Sequence, residues 1–116
     1  HSVLVPLQCE FYALEGLSQL MRTIASVQGG LNRQLAMQGI VLTMYDGRNK
    51  LSEQVANDVR THLGNLVYNT VIPRNVRISE APSFGQPVLI YDLNCAGSKA
   101  YIALAAELLE QEKEAA

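Results

Sequence analysis

The chain has no tryptophan and only two cysteines, and it lacks any apolar run near the roughly 20 residues that a membrane-spanning helix needs. Cys9 and Cys95 are far apart and form neither a Cys-x-x-Cys pair nor a Cys/His cluster. That spacing argues against a disulfide framework or a metal site and predicts free thiols packed as small hydrophobes. A positive charge excess is also missing, since 9 Lys and Arg stand against 11 Asp and Glu for a net charge of −2. Nucleic-acid binding therefore has to rest on a local group of arginines rather than on a globally basic field. The opening His1-Ser2-Val3-Leu4-Val5-Pro6 has no charged zone followed by an apolar zone, as a signal peptide would. A cytoplasmic protein is the expectation. The first residue is not Met and is followed at once by a strand-like run, which predicts a chain opened in mid-domain with a further portion upstream.

What is present is one ordinary domain's worth of core. With 116 residues, 48% of them hydrophobic and 17% charged, the chain can bury a single core, and its composition excludes disordered and low-complexity classes. Residues 3–7 form a short continuous apolar run, as in a strand covered on both faces. Leu14, Leu17, Met21 and Ile24 then recur at helical spacing until Gly29-Gly30 ends the pattern. Residues 39–45 read as a second strand closed by Asp46-Gly47. Leu51, Val55, Val59 and Leu63 predict a second helix, with Ser52 or Asn49 as its cap and Gly64 past its end. Residues 66–72 read as a third strand closed by Pro73. Three prolines and Gly85 predict a loop over 73–87, and residues 88–91 read as a short extended piece. Residues 98–112 read as an amphipathic helix with Tyr101, Leu104, Ala105 and Leu108 toward the sheet, and with Glu107, Glu110 and Glu114 off that face.

Alternating strands and helices predict an α/β fold, a parallel sheet with helical crossovers. Ligands of such sheets bind beyond the carboxyl ends of the strands. Here those ends are Leu7-Gln8-Cys9-Glu10, Met44-Tyr45-Asp46-Gly47-Arg48 and Pro73-Arg74-Asn75-Val76-Arg77. His62 has no accompanying ligand or base pattern and is expected as a partly exposed helix residue. Ser79-Glu80 lacks an oxyanion loop or a Gly-x-Ser-x-Gly elbow, which excludes a serine hydrolase.

Three ordered blocks carry a resemblance. The first runs Val5-Pro6-Leu7-Gln8-Cys9-Glu10-Phe11-Tyr12-Ala13-Leu14-Glu15-Gly16-Leu17, and the second is Leu42-Thr43-Met44-Tyr45-Asp46. The third runs Thr70-Val71-Ile72-Pro73-Arg74-Asn75-Val76-Arg77-Ile78-Ser79-Glu80-Ala81-Pro82-Ser83-Phe84-Gly85 and continues to Tyr91-Asp92. Together they resemble chromosomal ParA (Soj) proteins over nearly the whole chain. The resemblance implies that residues 1–116 are the C-terminal portion of a deviant-Walker P-loop NTPase with a Rossmann-like fold. It implies a parent that binds ATP and Mg²⁺, dimerises around ATP, binds DNA non-specifically and is stimulated by ParB. A cytoplasmic, nucleoid-associated protein follows from the same resemblance. The family's Lys-Gly-Gly-Val-Gly-Lys-Thr type loop and its Asp-x-x-Pro segment have no counterpart here. Because phosphoryl transfer depends on positioning and charge at the phosphates, this chain alone is not expected to hydrolyse ATP.

Carried over by motif, the base side of the nucleotide pocket falls on Met44, Pro73, Arg74 and Asn75, with Glu80 beside them. Arg48 and Arg77 match the DNA-binding face, with Lys50 and Arg74 adding to the local field. Two positions depart from the family: Gln86 stands where a basic residue is frequent, and Gly47-Arg48-Asn49-Lys50 differs from the usual Ala-Arg-Thr-Asn. No catalytic residue and no metal ligand is assigned. Two other readings remain open. One is a MinD-like ATPase fragment, against which the acidic tail Glu110-Gln111-Glu112-Lys113-Glu114 speaks, because anionic headgroups would repel it. The other is a non-enzymatic interaction module pairing with ParA or ParB. A partial sheet is expected to leave an unpaired edge and an uncovered apolar face.

Overall fold

The computed structural model describes residues 1–115. The elements run β1 (Ser2–Gln8), α1 (Ala13–Gly29), β2 (Ala36–Tyr45), α2 (Lys50–Leu63), β3 (Val67–Pro73), α3 (Val76–Glu80), α4 (Val88–Tyr91) and α5 (Ala96–Ala115). The three strands lie parallel in the order β1-β2-β3, so the α/β reading holds. Consecutive crossovers of one hand put both connecting helices on the same face of the sheet. There Leu17 of α1 and Val55 and Val59 of α2 pack on Val5, Ile40 and Leu42. Val59, Ile40 and Leu42 are fully buried, and each such side chain contributes about 1.5–3 kcal/mol of burial.

The alternate residues of the same strands face the other way. Val41, Tyr68 and Ile72 form a second core with Leu104 of α5. Gly39 of β2 lets this layer close, because a Cβ there would stand 2.5 Å from the Tyr68 ring. α5 lies along β3 on this face and leaves a groove of about 520 Å³ lined by Leu4, Ala81, Val88 and Leu108 among others, and β1 and β3 are the two edge strands. No helix among the described residues is long and apolar enough to cross a membrane.

Several local expectations change. Asn49 caps α2 by accepting the Leu51 amide hydrogen at 2.9 Å. Ser52, the alternative cap, is buried and accepts the Asp46 amide hydrogen at 3.3 Å. The 73–87 segment is not an irregular loop. Asn75 accepts the Arg77 amide hydrogen at 2.8 Å and starts α3, and a 3-10 turn at Ala81–Phe84 follows, ending on Gly85 with φ 66°. Residues 88–91 are helical rather than extended. Pro87 is the extended residue just before the helix, with φ −67° and ψ 153°, and the carbonyls of Pro87 and Val88 accept from Tyr91 and Asp92.

Glu107 is likewise not off the sheet. Between the pairs Ile40↔Val67 and Leu42↔Val71, β3 carries two more residues than β2, and the irregularity leaves backbone amides without ladder partners. The Glu107 carboxylate accepts from Asn69 N at 2.7 Å and from Thr70 N at 2.9 Å.

Candidate functional site

The carboxyl ends of β1, β2 and β3 meet in a cleft of about 240 Å³ lined by Gln8, Thr43, Met44, Pro73, Asn75 and Ser79, with Ile72 and Tyr101 behind. A second irregularity shapes it. From Leu42↔Val71 to Tyr45↔Pro73, β2 spends three steps against two of β3, and Met44 sits in that extra step. Its φ of 55° makes it the only non-glycine with positive φ among the described residues. A side chain held in that conformation is strained, and such strain persists where the surrounding structure enforces it. The Arg74 amide donates to Tyr45 O at 2.8 Å just past the bulge, which ties the two loops together.

The cleft gathers Met44, Pro73 and Asn75 of the residues singled out by sequence. Arg74 is exposed at its rim and does not line it. Glu80 lies apart: its Oε2 accepts the Tyr91 hydroxyl at 2.7 Å and lies 3.3 Å from Arg77 Nη1. The same hydrogen bond raises the Tyr91 phenol above its ordinary pKa. Gln8, Thr43 and Ser79 were not assigned to the pocket from the sequence. Gln8 had a legible signal, because it ends β1, whereas Thr43 is brought to the cleft by its pairing with Gln8 in the parallel ladder.

The arginines occupy the same edge. Arg48 is 94% exposed, and its Nε lies 3.5 Å from Asp46 Oδ1, which also accepts the Arg48 amide hydrogen at 3.0 Å. Arg77 is about half exposed, with Nε 3.5 Å from Asp92 Oδ2. The wider groove on the α5 face holds more space, but its lining is almost wholly apolar and brings no chemistry with it.

Two apolar walls, Met44 and Pro73, with a polar rim of Gln8, Thr43, Asn75 and Ser79 suit a flat heteroaromatic ring. At about 240 Å³ the cleft falls below the roughly 300–1,000 Å³ of sites that enclose a whole ligand. Among the described residues no group of three or more His, Cys, Asp or Glu could hold a metal ion.

The chain is 68% identical over 113 residues to the chromosome partitioning protein ParA of Caulobacter vibrioides strain NA1000, covering 97% of this chain and 42% of that protein. It is 51% identical over 107 residues to the sporulation initiation inhibitor protein Soj of Bacillus subtilis strain 168, covering 92% of this chain and 42% of that one. The chain thus spans about two-fifths of the length of these relatives. Among solved structures, cobyrinic acid a,c-diamide synthase from Mycobacterium smegmatis with bound ADP and magnesium superposes with a TM-score of 0.71 at 33% identity, over 100% of this chain and 40% of that one. The family model described as the CobQ/CobB/MinD/ParA nucleotide binding domain matches residues 4–88. With a parallel sheet, a cleft at its carboxyl edge and that match over most of its length, the chain belongs to the CobQ/CobB/MinD/ParA nucleotide binding domain family.

Proposed function

We propose that this chain is the C-terminal portion of a ParA/Soj-type chromosome-partitioning ATPase and that it supplies the base side of the nucleotide pocket and a DNA-facing edge. The observation that carries the reading is the shared edge: the Met44–Pro73–Asn75 cleft lies beside the loop that bears Arg48 and the helix α3 that bears Arg77. The 68% identity to a chromosome partitioning protein supports it. A base held between Met44 and Pro73 gains dispersion, with Gln8, Thr43 and Asn75 able to hydrogen-bond its edge. Arg74 sits where it reaches the outer side of such a ligand, and Glu80 acts through Arg77 rather than on the base. Most nucleotide affinity lies with the phosphates, so ATP and Mg²⁺ are held mainly by the rest of the parent protein. This chain alone binds ATP weakly and does not turn it over.

Arg48 and Arg77 contact phosphates of DNA without reading sequence, with Arg74 and Lys50 adding charge. The parent dimerises in its ATP-bound state, responds to ParB, and works in the cytoplasm on the nucleoid.

The test is titration of this chain with a fluorescent adenine nucleotide and with a labelled duplex over a range of salt, beside the Arg48→Ala/Arg77→Ala variant. The expected result is weak nucleotide binding without turnover, and duplex binding whose salt slope falls by about 1 to 2 in the variant. Tight nucleotide binding or turnover would overturn the assignment of the phosphate machinery to the rest of the parent. Duplex binding unchanged in the variant would overturn the arginine edge.

A further inference from the structure

Arg77 reaches the sheet edge with its charge already answered. Its Nη1 lies 3.3 Å from Glu80 Oε2 and its Nε 3.5 Å from Asp92 Oδ2. Neither carboxylate hangs loose. Glu80 Oε2 also accepts the Tyr91 hydroxyl at 2.7 Å, and the Tyr91 ring stacks on Phe84 with centroids 5.1 Å apart. Asp92 Oδ1 accepts the Asn94 amide hydrogen at 3.2 Å, and the Asp92 carbonyl accepts from the buried Ser98 hydroxyl at 2.5 Å. Two braced carboxylates from different elements therefore share one guanidinium. Arg48 has a single carboxylate neighbour, and Arg74 has no ion pair within 4.0 Å among the described residues.

We propose that Glu80 and Asp92 are specificity-determining residues of this edge, forming a built-in counter-anion for Arg77 that a lone phosphate does not displace and a run of neighbouring phosphates does. The proposal rests on the reading that the edge faces DNA. A single phosphate that takes Arg77 exchanges one exposed ion pair for another, and such an exchange gains almost nothing. A duplex differs because phosphates engaged by Arg48 and Arg74 hold the next one beside Arg77 at high effective concentration. The carboxylates subtract the same increment from every ligand that uses Arg77. A one-contact ligand is left below measurable affinity, whereas a several-contact ligand keeps most of its own. Because Arg77 is neutralised internally, it also neutralises less of the duplex charge, which flattens the salt dependence of binding.

The experiment uses the full chain as wild type, Asp92→Asn, and Glu80→Gln/Asp92→Asn, each with and without Arg77→Ala. Both side-chain changes are close to isosteric and keep an acceptor for Asn94 N and Tyr91 OH. Glu114→Gln, at the opposite end of β3, removes the same single charge as Asp92→Asn and, compared with it, controls for net charge alone. The probes are a labelled duplex and inorganic phosphate, and the Arg77 Nε–H signal in NMR reports the pairing directly. The expected result is duplex binding tightened about threefold to fivefold by the double change, with a steeper salt slope, both cancelled by Arg77→Ala and absent in Glu114→Gln. Inorganic phosphate should shift the Arg77 Nε–H signal only in the double variant.

An equal gain in Glu114→Gln, or no gain in the double variant while Arg77→Ala still weakens the wild type, would overturn the counter-anion and leave the DNA reading standing. If Arg77→Ala leaves duplex binding untouched, the DNA role of Arg77 fails. The phosphate arm then decides alone, and a signal that phosphate does not move in the double variant overturns the counter-anion as well.

Discussion

The Glu107 carboxylate accepts the Thr70 amide hydrogen at 2.9 Å, joining α5 to an irregular stretch of β3 across 37 residues of sequence. The other carboxylate oxygen takes the Asn69 amide hydrogen at 2.7 Å. Partial burial works against the charge, but the bonds from Thr70 and Asn69 and the nearby Arg60 outweigh it and hold Glu107 below the ordinary glutamate range. A folded-state pKa below the unfolded value means that the stabilisation is complete above about pH 4.3 and is lost as pH falls through the lower, folded-state value. Glu107→Ala is expected to lower stability by about 1–2 kcal/mol at pH 7, since it leaves two amides to find water. Urea denaturation at pH 7 and pH 3 checks this: the difference between wild type and variant should shrink at the lower pH.

Gly97, near the start of α5, touches Ile78 of α3 so closely that a Cβ would stand 2.5 Å from Ile78 Cγ1 and 2.6 Å from Cδ1. Gly97→Ala is expected to cost about 1–3 kcal/mol through overpacking. Ile78→Ala in the same chain frees the space, so the double variant should lose less than the sum of the two single losses. Thermal melts of the four chains measure that coupling. Strict additivity would show that α5 and α3 do not meet through these two residues.

The sheet and its two crossover helices were legible because their information is local. Leu14, Leu17, Met21 and Ile24 keep helical spacing, and Asn49 is a capping residue where a cap is needed. Most of the site's shape was not legible. Methionine carries no sequence signal for positive φ, and the Met44 bulge is visible only in the register of β2 against β3. Glu80 reads as part of the base side when the motif alone is followed, but Tyr91, 11 residues on, takes up its carboxylate. The helix at residues 88–91 was hidden because Val88, Ile90 and Tyr91 favour extended structure, while the turn after Pro87 is settled by contacts. Glu107 reads as a solvent-facing charge until the register shift in β3 supplies it with donors.

The two cysteines should differ in reactivity. Burial pushes the Cys9 thiol up, with Arg60 only partly opposing it. At Cys95 burial also disfavours the thiolate, but hydrogen bonds from Ser98 and the Gly97 amide outweigh it and hold the thiol below its ordinary value. The thiolate is the reactive form. Alkylation by iodoacetamide followed by mass spectrometry is therefore expected to label Cys95 first at pH 7.5, with Cys9 protected until the chain unfolds. Faster labelling of Cys9 in the folded chain would contradict the packing of the β1 end.

Met44 offers a way to separate strain from function. A β-branched residue tolerates φ near 55° worse than methionine does, so Met44→Val is expected to cost about 1–2 kcal/mol even though the side chain is 37% exposed. Met44→Gly removes the strain but adds freedom to the unfolded chain, and the two effects nearly cancel to leave stability within about 0.5 kcal/mol of wild type. Both changes strip a wall from the cleft. Adenine-nucleotide binding should therefore fall in both variants while stability falls in only one. If Met44→Gly keeps wild-type nucleotide binding, the wall is not used and the bulge is a packing feature alone. If Met44→Val is as stable as wild type, the bulge relaxes without cost, and strain at Met44 has no part in shaping the cleft.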